Sequence, residues 1–90
     1  MPKSEIVVRH EVGLHARPAA SFVKLAASFP CDITVQNVTT GSKSVNAKSI
    51  LSVLSIGVSK DNTILIETSG EQADEALAAL LNLIEGNFGE

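Results

Sequence analysis

Tryptophan and tyrosine are absent from the 90-residue sequence, and three phenylalanines make up its whole aromatic content. So few rings argue against a surface that stacks nucleobases, as single-strand-binding proteins do. Basic residues are also few: seven Lys and Arg stand against ten Asp and Glu, which gives a net charge of -3 at pH 7. The sequence therefore lacks the basic footprint of a nucleic-acid-binding protein, and we expect no nucleic-acid partner.

A single cysteine, Cys31, rules out an internal disulfide. We expect a small, half-buried residue there, because no sequence feature supplies a base that would activate the thiol. No apolar stretch reaches the ~18 residues that a transmembrane helix requires, and Met1 to Arg9 lacks the apolar core of a signal peptide. These absences predict a cytoplasmic protein with no membrane partner.

The apolar content suits one compact core, since 44% of the residues are hydrophobic and 19% are charged. A chain of this length is expected to form one domain over residues 1–90, with no room for a second. Neither a repeat nor a low-complexity linker interrupts the sequence.

Hydrophobic periodicity predicts strands and helices in the order βαββαβα. Alternation from Glu5 to Arg9, with Ile6 and Val8 on one side, predicts the first strand, and helical spacing predicts a first helix from about His15, with Pro18 tolerated in its first turn. The later elements are predicted as strands from Asp32 to Gln36, Lys43 to Val45 and Thr63 to Thr68, and helices from Ala47 to Ile56 and from Ala73 to Gly86. The simplest arrangement of these elements is an α+β open-faced sandwich, in which three helices cover one face of a four-stranded antiparallel sheet. The strand order stays open.

Two predicted helices carry capping signals at their starts. Asn46 is a plausible N-cap of the second helix, which would put Ser49 at the third helical position. Ser69, followed three residues later by Gln72, resembles a capping box for the third helix. The core-facing residues of that helix are predicted to be Ala73, Ala76, Leu77, Leu80 and Ile84.

The segment from Gly13 to Ala20 joins a glycine-containing loop to a helix start that carries a histidine and an arginine. The unpaired N–H groups around Ala16 and Arg17, together with the positive end of the helix dipole, form an anion site suited to phosphate. The same field is expected to lower the pKa of the His15 imidazole, which leaves a ring nitrogen with a lone pair for attack. The guanidinium of Arg17 can bind phosphoryl oxygens in a fork. On these residues alone, His15 as a weak N-cap and Arg17 as a solvated charge remain the alternative.

Residues 13–20, GLHARPAA, resemble the active-site signature of the HPr family, the histidine-containing phosphocarriers of the bacterial phosphotransferase system. A second block, Lys48 to Gly57, resembles the family's regulatory-serine segment. The resemblance implies that His15 is phosphorylated on Nδ1 by enzyme I, at the expense of phosphoenolpyruvate, and passes the group to a sugar-specific enzyme IIA. It also implies a carrier and not a turnover enzyme, with no metal or organic cofactor. Ser49 would match the serine that HPr kinase modifies in some bacteria, which slows histidine phosphorylation and creates a form that binds a catabolite repressor.

The apolar residues of the second helix spread over a broader arc than a one-sided surface helix needs. We expect Ile50 and Val53 to face the core, and Leu51 and Leu54, with Ala20, to form an exposed docking surface next to the active-site histidine. Full burial of the second helix's apolar side chains is the alternative.

Several alternatives stay open from the sequence. The chain could act as a regulatory adaptor through phospho-Ser49, or as the carrier of a nitrogen-related or dihydroxyacetone-linked branch. Val12 departs from the family, whose members often have a small polar residue there that can touch the imidazole. A metal site that joins His10 to Glu11 or His15 has little support, because no further ligand lies at a suitable spacing. We expect a monomer, since short-lived contacts with successive partners need no oligomer.

Overall fold

The computed structural model of the protein describes residues 2–10, 13–14, 16–86 and 88. Its elements follow in the predicted order βαββαβα. In chain order they are β1 (Lys3–Val7), α1 (Ala16–Ala27), β2 (Asp32–Asn37), β3 (Val45–Asn46), α2 (Ile50–Ser55), β4 (Thr63–Ser69) and α3 (Ala73–Glu85).

The strands form one antiparallel sheet in the order β1-β4-β2-β3, which the sequence left open. The last strand of the chain, β4, is therefore central: it pairs with β1, where Lys3 lies opposite Glu67, and with β2, where Val35 lies opposite Ile66. The short β3 adds to the outer side of β2 through Val45. This topology brings the end of α2 and the start of β4 close to the end of β2.

The core lies on one face of the sheet, beneath the helices. Alternate residues of β2 and β4 are buried, including Ile33 and Val35 on the first and Ile64 and Ile66 on the second, as strand periodicity requires. The helices contribute buried residues at helical spacing: Ala19, Phe22, Ala26, Val53, Ala76, Leu80 and Ile84. The predicted open-faced sandwich is confirmed.

Strand β1 starts earlier than predicted, at Lys3, and ends at Val7, not Arg9. The chain leaves β4 at this point because Val8 pairs with a loop: its N–H donates to the carbonyl of Asn62 at 2.9 Å, and its carbonyl accepts from the N–H of Asp61 at 2.7 Å. Val8 is fully buried, whereas Ile6, predicted on the same side of the strand, is half-buried.

Helix α2 is shorter than predicted, and its N-cap is Ser49, so the prediction of Asn46 as the cap was wrong. Asn46 belongs to β3, and the N–H of Ala47 still donates to the backbone of β2 at 3.0 Å. The side-chain Oδ1 of Asn46 accepts from the N–H of Lys48 at 2.9 Å instead of capping a helix. The helix therefore begins only at Ile50, and Ser49 is not at the third helical position. The return strand is correspondingly at Val45–Asn46 and does not include Lys43.

The predicted capping box before α3 is also wrong. Ser69 is the last residue of β4, paired with Asp32, and Gln72 is itself the N-cap, in a left-handed conformation with no side-chain cap bond. The amide Nε2 of Gln72 instead donates to Oε2 of Glu75 at 3.2 Å. The predicted core face of α3 is confirmed except at Leu77, which is only half-buried.

Cys31 is buried, with 2% of its surface exposed, and not half-buried as predicted. The backbone at the end of β4 closes over it: a Cβ added to Gly70 would lie 3.6 Å from the Cβ of Cys31. The thiol therefore packs in the core as a small apolar group.

Candidate functional site

The loop before α1 is fastened to the segment that follows α2. The N–H of Leu14 donates to the carbonyl of Val58 at 3.0 Å, and the N–H of Gly13 donates to the carbonyl of His10 at 2.9 Å. Leu14 and Val58 are both buried, with 1% and 0% of their surfaces exposed. Gly13 has a φ of +64°, and a Cβ at this position would lie 2.3 Å from the Val58 oxygen. The close approach of the two backbones therefore requires glycine.

His15, the residue expected to carry the phosphate, lies outside the described residues, as does Val12. The structure does describe both chain neighbours of the histidine. Leu14 is held by Val58 on one side, and Ala16 begins α1 on the other. In the chain, the histidine therefore stands between a buried residue, Leu14, and the first residue of α1, Ala16.

The first turn of α1 follows His15 in the chain and is predicted to bind phosphate. Ala16 and Arg17 are exposed, whereas Pro18 and Ala19 are buried and fix the turn against the core. No acidic residue lies in this turn, so no carboxylate there offsets the positive end of the helix dipole. Pro18 lies in the first turn as predicted, where its missing N–H has no helical partner to lose.

Helix α2 presents an apolar patch made of Ile50, Leu51 and Leu54. Leu51 is 78% exposed and Leu54 39%, so the predicted exposure of this pair is confirmed. Ile50, which we expected in the core, is 37% exposed, and that prediction was wrong. The helix has six residues and buries Val53 alone, and Ile50 is its first residue. Ala20, the third predicted docking residue, is exposed on α1, which packs against α2.

Ser49 lies at the start of α2 as its N-cap, with extended backbone angles. Its hydroxyl oxygen accepts from the N–H of Ser52 at 3.4 Å, a long hydrogen bond, and its carbonyl accepts from the N–H of Val53 at 3.0 Å. The side chain is half-buried. A phosphate on this hydroxyl would meet the N–H groups of the first helical turn.

Sequence reasoning missed two asparagines that join β2 to the segment between α2 and β4. Asn37 is completely buried, and its Nδ2 donates to the carbonyl of Ile56 at 3.2 Å and to Oδ1 of Asn62 at 3.1 Å. A signal was present: Asn37 follows Ile33 and Val35 in the same alternation, so a polar residue takes the third inward position of the strand.

Within the described residues, no group of three or more His, Cys, Asp and Glu could hold a metal ion. The same part of the chain contains no helix that is both long and apolar enough to cross a bilayer. His10 instead contacts the ring of Phe88 edge to face, with 5.7 Å between the ring centroids.

A family model described as the PTS HPr component phosphorylation site matches residues 2–86 of the sequence. The chain belongs to the HPr family. The phosphocarrier protein HPr of Pseudomonas aeruginosa is 41% identical over 90 residues, and the match covers 100% of this chain and 98% of that protein. The crystal structure of HPr-C-His from Thermoanaerobacter tengcongensis matches the fold with a TM-score of 0.93 and 43% identity, covering 100% of this chain and 98% of that chain.

HPr-like sequence also occurs inside a larger protein. The multiphosphoryl transfer protein of Salmonella typhimurium is 38% identical over 87 residues, a match that covers 97% of this chain but 23% of that protein. As a member of the HPr family, the present chain is a phosphocarrier of the bacterial phosphotransferase system.

Proposed function

We propose that the chain accepts a phosphoryl group on His15 from phosphorylated enzyme I and passes it to an enzyme IIA domain of a sugar phosphotransferase system. The observation that carries the proposal is the fixed position of the loop before α1, in which the N–H of Leu14 donates to the carbonyl of Val58 at 3.0 Å. The exposed helix start with Arg17 supports the binding of phosphoryl oxygens beside the histidine.

The proposed step transfers one phosphoryl group without water and without any change of oxidation state. The lone pair of a His15 ring nitrogen, Nδ1 by resemblance to the family, attacks the phosphorus carried by enzyme I. The new N–P bond forms as the bond between phosphorus and enzyme I breaks, and that bond's electron pair stays on enzyme I. Arg17 and the N–H groups of α1 hold the phosphoryl oxygens and stabilise the charge on them. Transfer to enzyme IIA repeats the step with the His15 imidazole as the leaving group.

Labelling with enzyme I and phosphoenolpyruvate tests this function. The wild-type chain should take up phosphate that is labile in acid and stable in base, as expected for phosphohistidine. Label that is stable in acid and labile in base would instead be phosphoserine. A wild-type chain that stays unlabelled with an enzyme I from the same organism would end the proposal.

We place the carrier in the cytoplasm and take a single chain as the acting unit. The sugar branch is distinguished from the nitrogen-related and dihydroxyacetone-linked branches by which phosphoryl acceptor removes the label from the phosphorylated chain.

Leu51 and Leu54 are expected to form part of the surface that contacts enzyme I. Replacing both by serine should raise the KM for the carrier in the enzyme I reaction by about tenfold, because exposed leucines at a docking surface lose apolar contact. The melting temperature should change little, since both side chains are already exposed.

Val38→Ser is the matched control for this pair. Val38 is 38% exposed, close to the 39% of Leu54, but it lies in the turn after β2 and not on α2. The control should keep the wild-type KM. A collapse of thermal stability in the Leu51 and Leu54 double variant would show that these side chains support the core and not a partner.

A regulatory adaptor that acts through phospho-Ser49 is the second candidate function. The observation in its favour is the position of Ser49 as N-cap of α2, where the hydroxyl already accepts an N–H of the first turn. Phosphorylation there would add charged acceptor oxygens at the favourable end of the helix and should leave the fold intact. ATP-dependent labelling by HPr kinase should appear on the wild-type chain and be lost in Ser49→Ala, with Ser52→Ala as the control that retains it. A chain that HPr kinase does not label would remove this candidate.

A further inference from the structure

Two polar side chains among the described residues are completely buried, Asn37 on β2 and Thr68 on β4. The side-chain amide of Asn37 makes three hydrogen bonds. Its Nδ2 donates to the carbonyl of Ile56 at 3.2 Å and to Oδ1 of Asn62 at 3.1 Å, and its Oδ1 accepts from the N–H of Thr40 at 3.3 Å. A buried amide with all these bonds fixes the relative positions of the segments that it joins.

Asn62 holds the other end of this network. Its Oδ1 accepts from the N–H of Ser59 at 2.9 Å as well as from Asn37, and its own N–H donates to the carbonyl of Ser59 at 3.0 Å. The side chain therefore closes the turn from Ser59 to Asn62 and ties that turn to β2. We call the two side chains, Asn37 and Asn62, the amide pair.

The amide pair fixes both flanks of Val58. On one flank it holds the carbonyl of Ile56, and on the other it holds the N–H of Ser59. The carbonyl of Val58 between them accepts the N–H of Leu14, the residue that precedes His15 in the chain. The position of the loop before α1 thus depends on a segment whose shape the amide pair sets.

The segment needs such support because its backbone is unusual. Gly57 has a φ of +56° and Asp61 a φ of +69°, both in the left-handed region. A residue other than glycine seldom takes this conformation unless surrounding contacts hold it there. Loss of the amide pair should therefore let the segment relax, and the Val58 carbonyl would move with it.

We propose that Asn37 and Asn62 are positioning residues for phosphoryl transfer, which act on His15 through the Val58 carbonyl and the Leu14 amide. The inference rests on the proposed function, since it concerns the same histidine. In-line transfer is sensitive to small displacements of the attacking atom. A weaker hydrogen bond between Leu14 and Val58 should therefore slow the transfer step more than it weakens partner binding.

The test compares Asn62→Ala with a control of similar cost to the fold. Asn62→Ala removes the oxygen that accepts from both Asn37 and Ser59. The control is Thr68→Val, which removes another buried hydrogen bond, from Oγ1 of Thr68 to the carbonyl of Ala73 at 2.8 Å, at the far end of β4. Asn62→Asp keeps the accepting oxygen and serves as the conservative variant.

Two readouts are measured on each variant. Native-state hydrogen exchange reports the protection of the Leu14 amide, and steady-state phosphorylation by enzyme I gives kcat and KM for the carrier. In Asn62→Ala we expect Leu14 to exchange about tenfold faster relative to core amides, kcat to fall about tenfold and KM to stay within about twofold of wild type. Asn62→Asp should recover most of both losses. Thr68→Val should lower the melting temperature yet leave kcat and the relative exchange of Leu14 unchanged.

A kcat for Asn62→Ala equal to that of Thr68→Val would overturn the inference and leave the proposed function standing. An absence of label on the wild-type chain would remove both together. If Asn62→Ala does not fold, Asn62→Leu gives the same comparison, because leucine has nearly the size of asparagine but no oxygen that could accept from Asn37 or Ser59. A wild-type kcat in that variant would equally refute the positioning role.

Discussion

His15→Ala should reduce phosphate uptake from enzyme I and phosphoenolpyruvate to background while leaving the fold intact. Alanine has no lone pair that can attack phosphorus, so the covalent step has no nucleophile. The described contacts on either side of this position are backbone ones: the Leu14 amide on Val58 and the start of α1 at Ala16. We therefore expect the melting temperature to stay within about 4 °C of wild type. Labelling and thermal denaturation of the same preparation measure both outcomes.

His10→Ala is the matched control, because His10 is the other histidine of the chain. It lies in the segment after β1 and contacts the ring of Phe88, so its removal can affect stability but should leave labelling in place. Label that survives in His15→Ala and disappears in His10→Ala would show that His10, and not His15, carries the phosphate. Survival of acid-labile label in both single variants would show that His15 is not the only residue that carries the phosphate.

The sequence predicted the fold best where side chains alternate against a deep core. In β4, Ile64 and Ile66 point inward between half-exposed neighbours, and in α3 Leu80 and Ile84 recur at helical spacing. Burial of apolar area dominates at such positions, so periodicity alone predicts the element. The strand order could not be predicted in this way, because a pattern of inward residues says nothing about which strand lies next to which.

The ends of the elements were predicted poorly where local hydrogen bonds compete. Asn46 has the composition of a helix cap, yet it pairs in β3 and directs its side chain to the N–H of Lys48. Ser69 has the spacing of a capping box, yet it remains paired in β4. In both cases the polar side chain could serve the helix or the preceding turn or strand, and pairing within the sheet decides between them.

The candidate site was predicted in part. The segment from Gly13 to Ala20 is contiguous, so its resemblance to a phosphocarrier signature could be recognised from the sequence. The amide pair could not be predicted, because Asn37 and Asn62 lie 25 residues apart in the chain. Their contact exists only because the central strand β4 returns beside β2 and brings the two side chains together. The support that the amide pair gives to the loop before α1 therefore follows from the strand order.

Gly13→Ala should lower the free energy of unfolding by roughly 3 kcal/mol, because it combines backbone strain with steric overlap. The φ of +64° is unfavourable for alanine, and the new Cβ would lie 2.3 Å from the Val58 oxygen and 2.8 Å from the Cα of Ser59. Both contacts are to backbone, which cannot move aside as a flexible side chain would. For a domain of this size the change corresponds to a fall of roughly 15 °C in the melting temperature. Phosphorylation by enzyme I should also slow by at least about tenfold, because the loop before His15 must move away from Val58.

Gly41→Ala separates the strain from the overlap. Gly41 has a φ of +74°, close to that of Gly13, but apart from Gly41 and its two chain neighbours no residue has an atom within 4 Å of the Cβ that alanine would add. This control should lose only the ~1 kcal/mol that left-handed backbone costs a residue other than glycine, and its rate of phosphorylation should match wild type. If Gly13→Ala were no less stable than Gly41→Ala, the contact between the loop and Val58 would be looser than the hydrogen bond from Leu14 indicates. A variant with the expected loss of stability but a wild-type rate would show that the histidine keeps its reactive position without that contact.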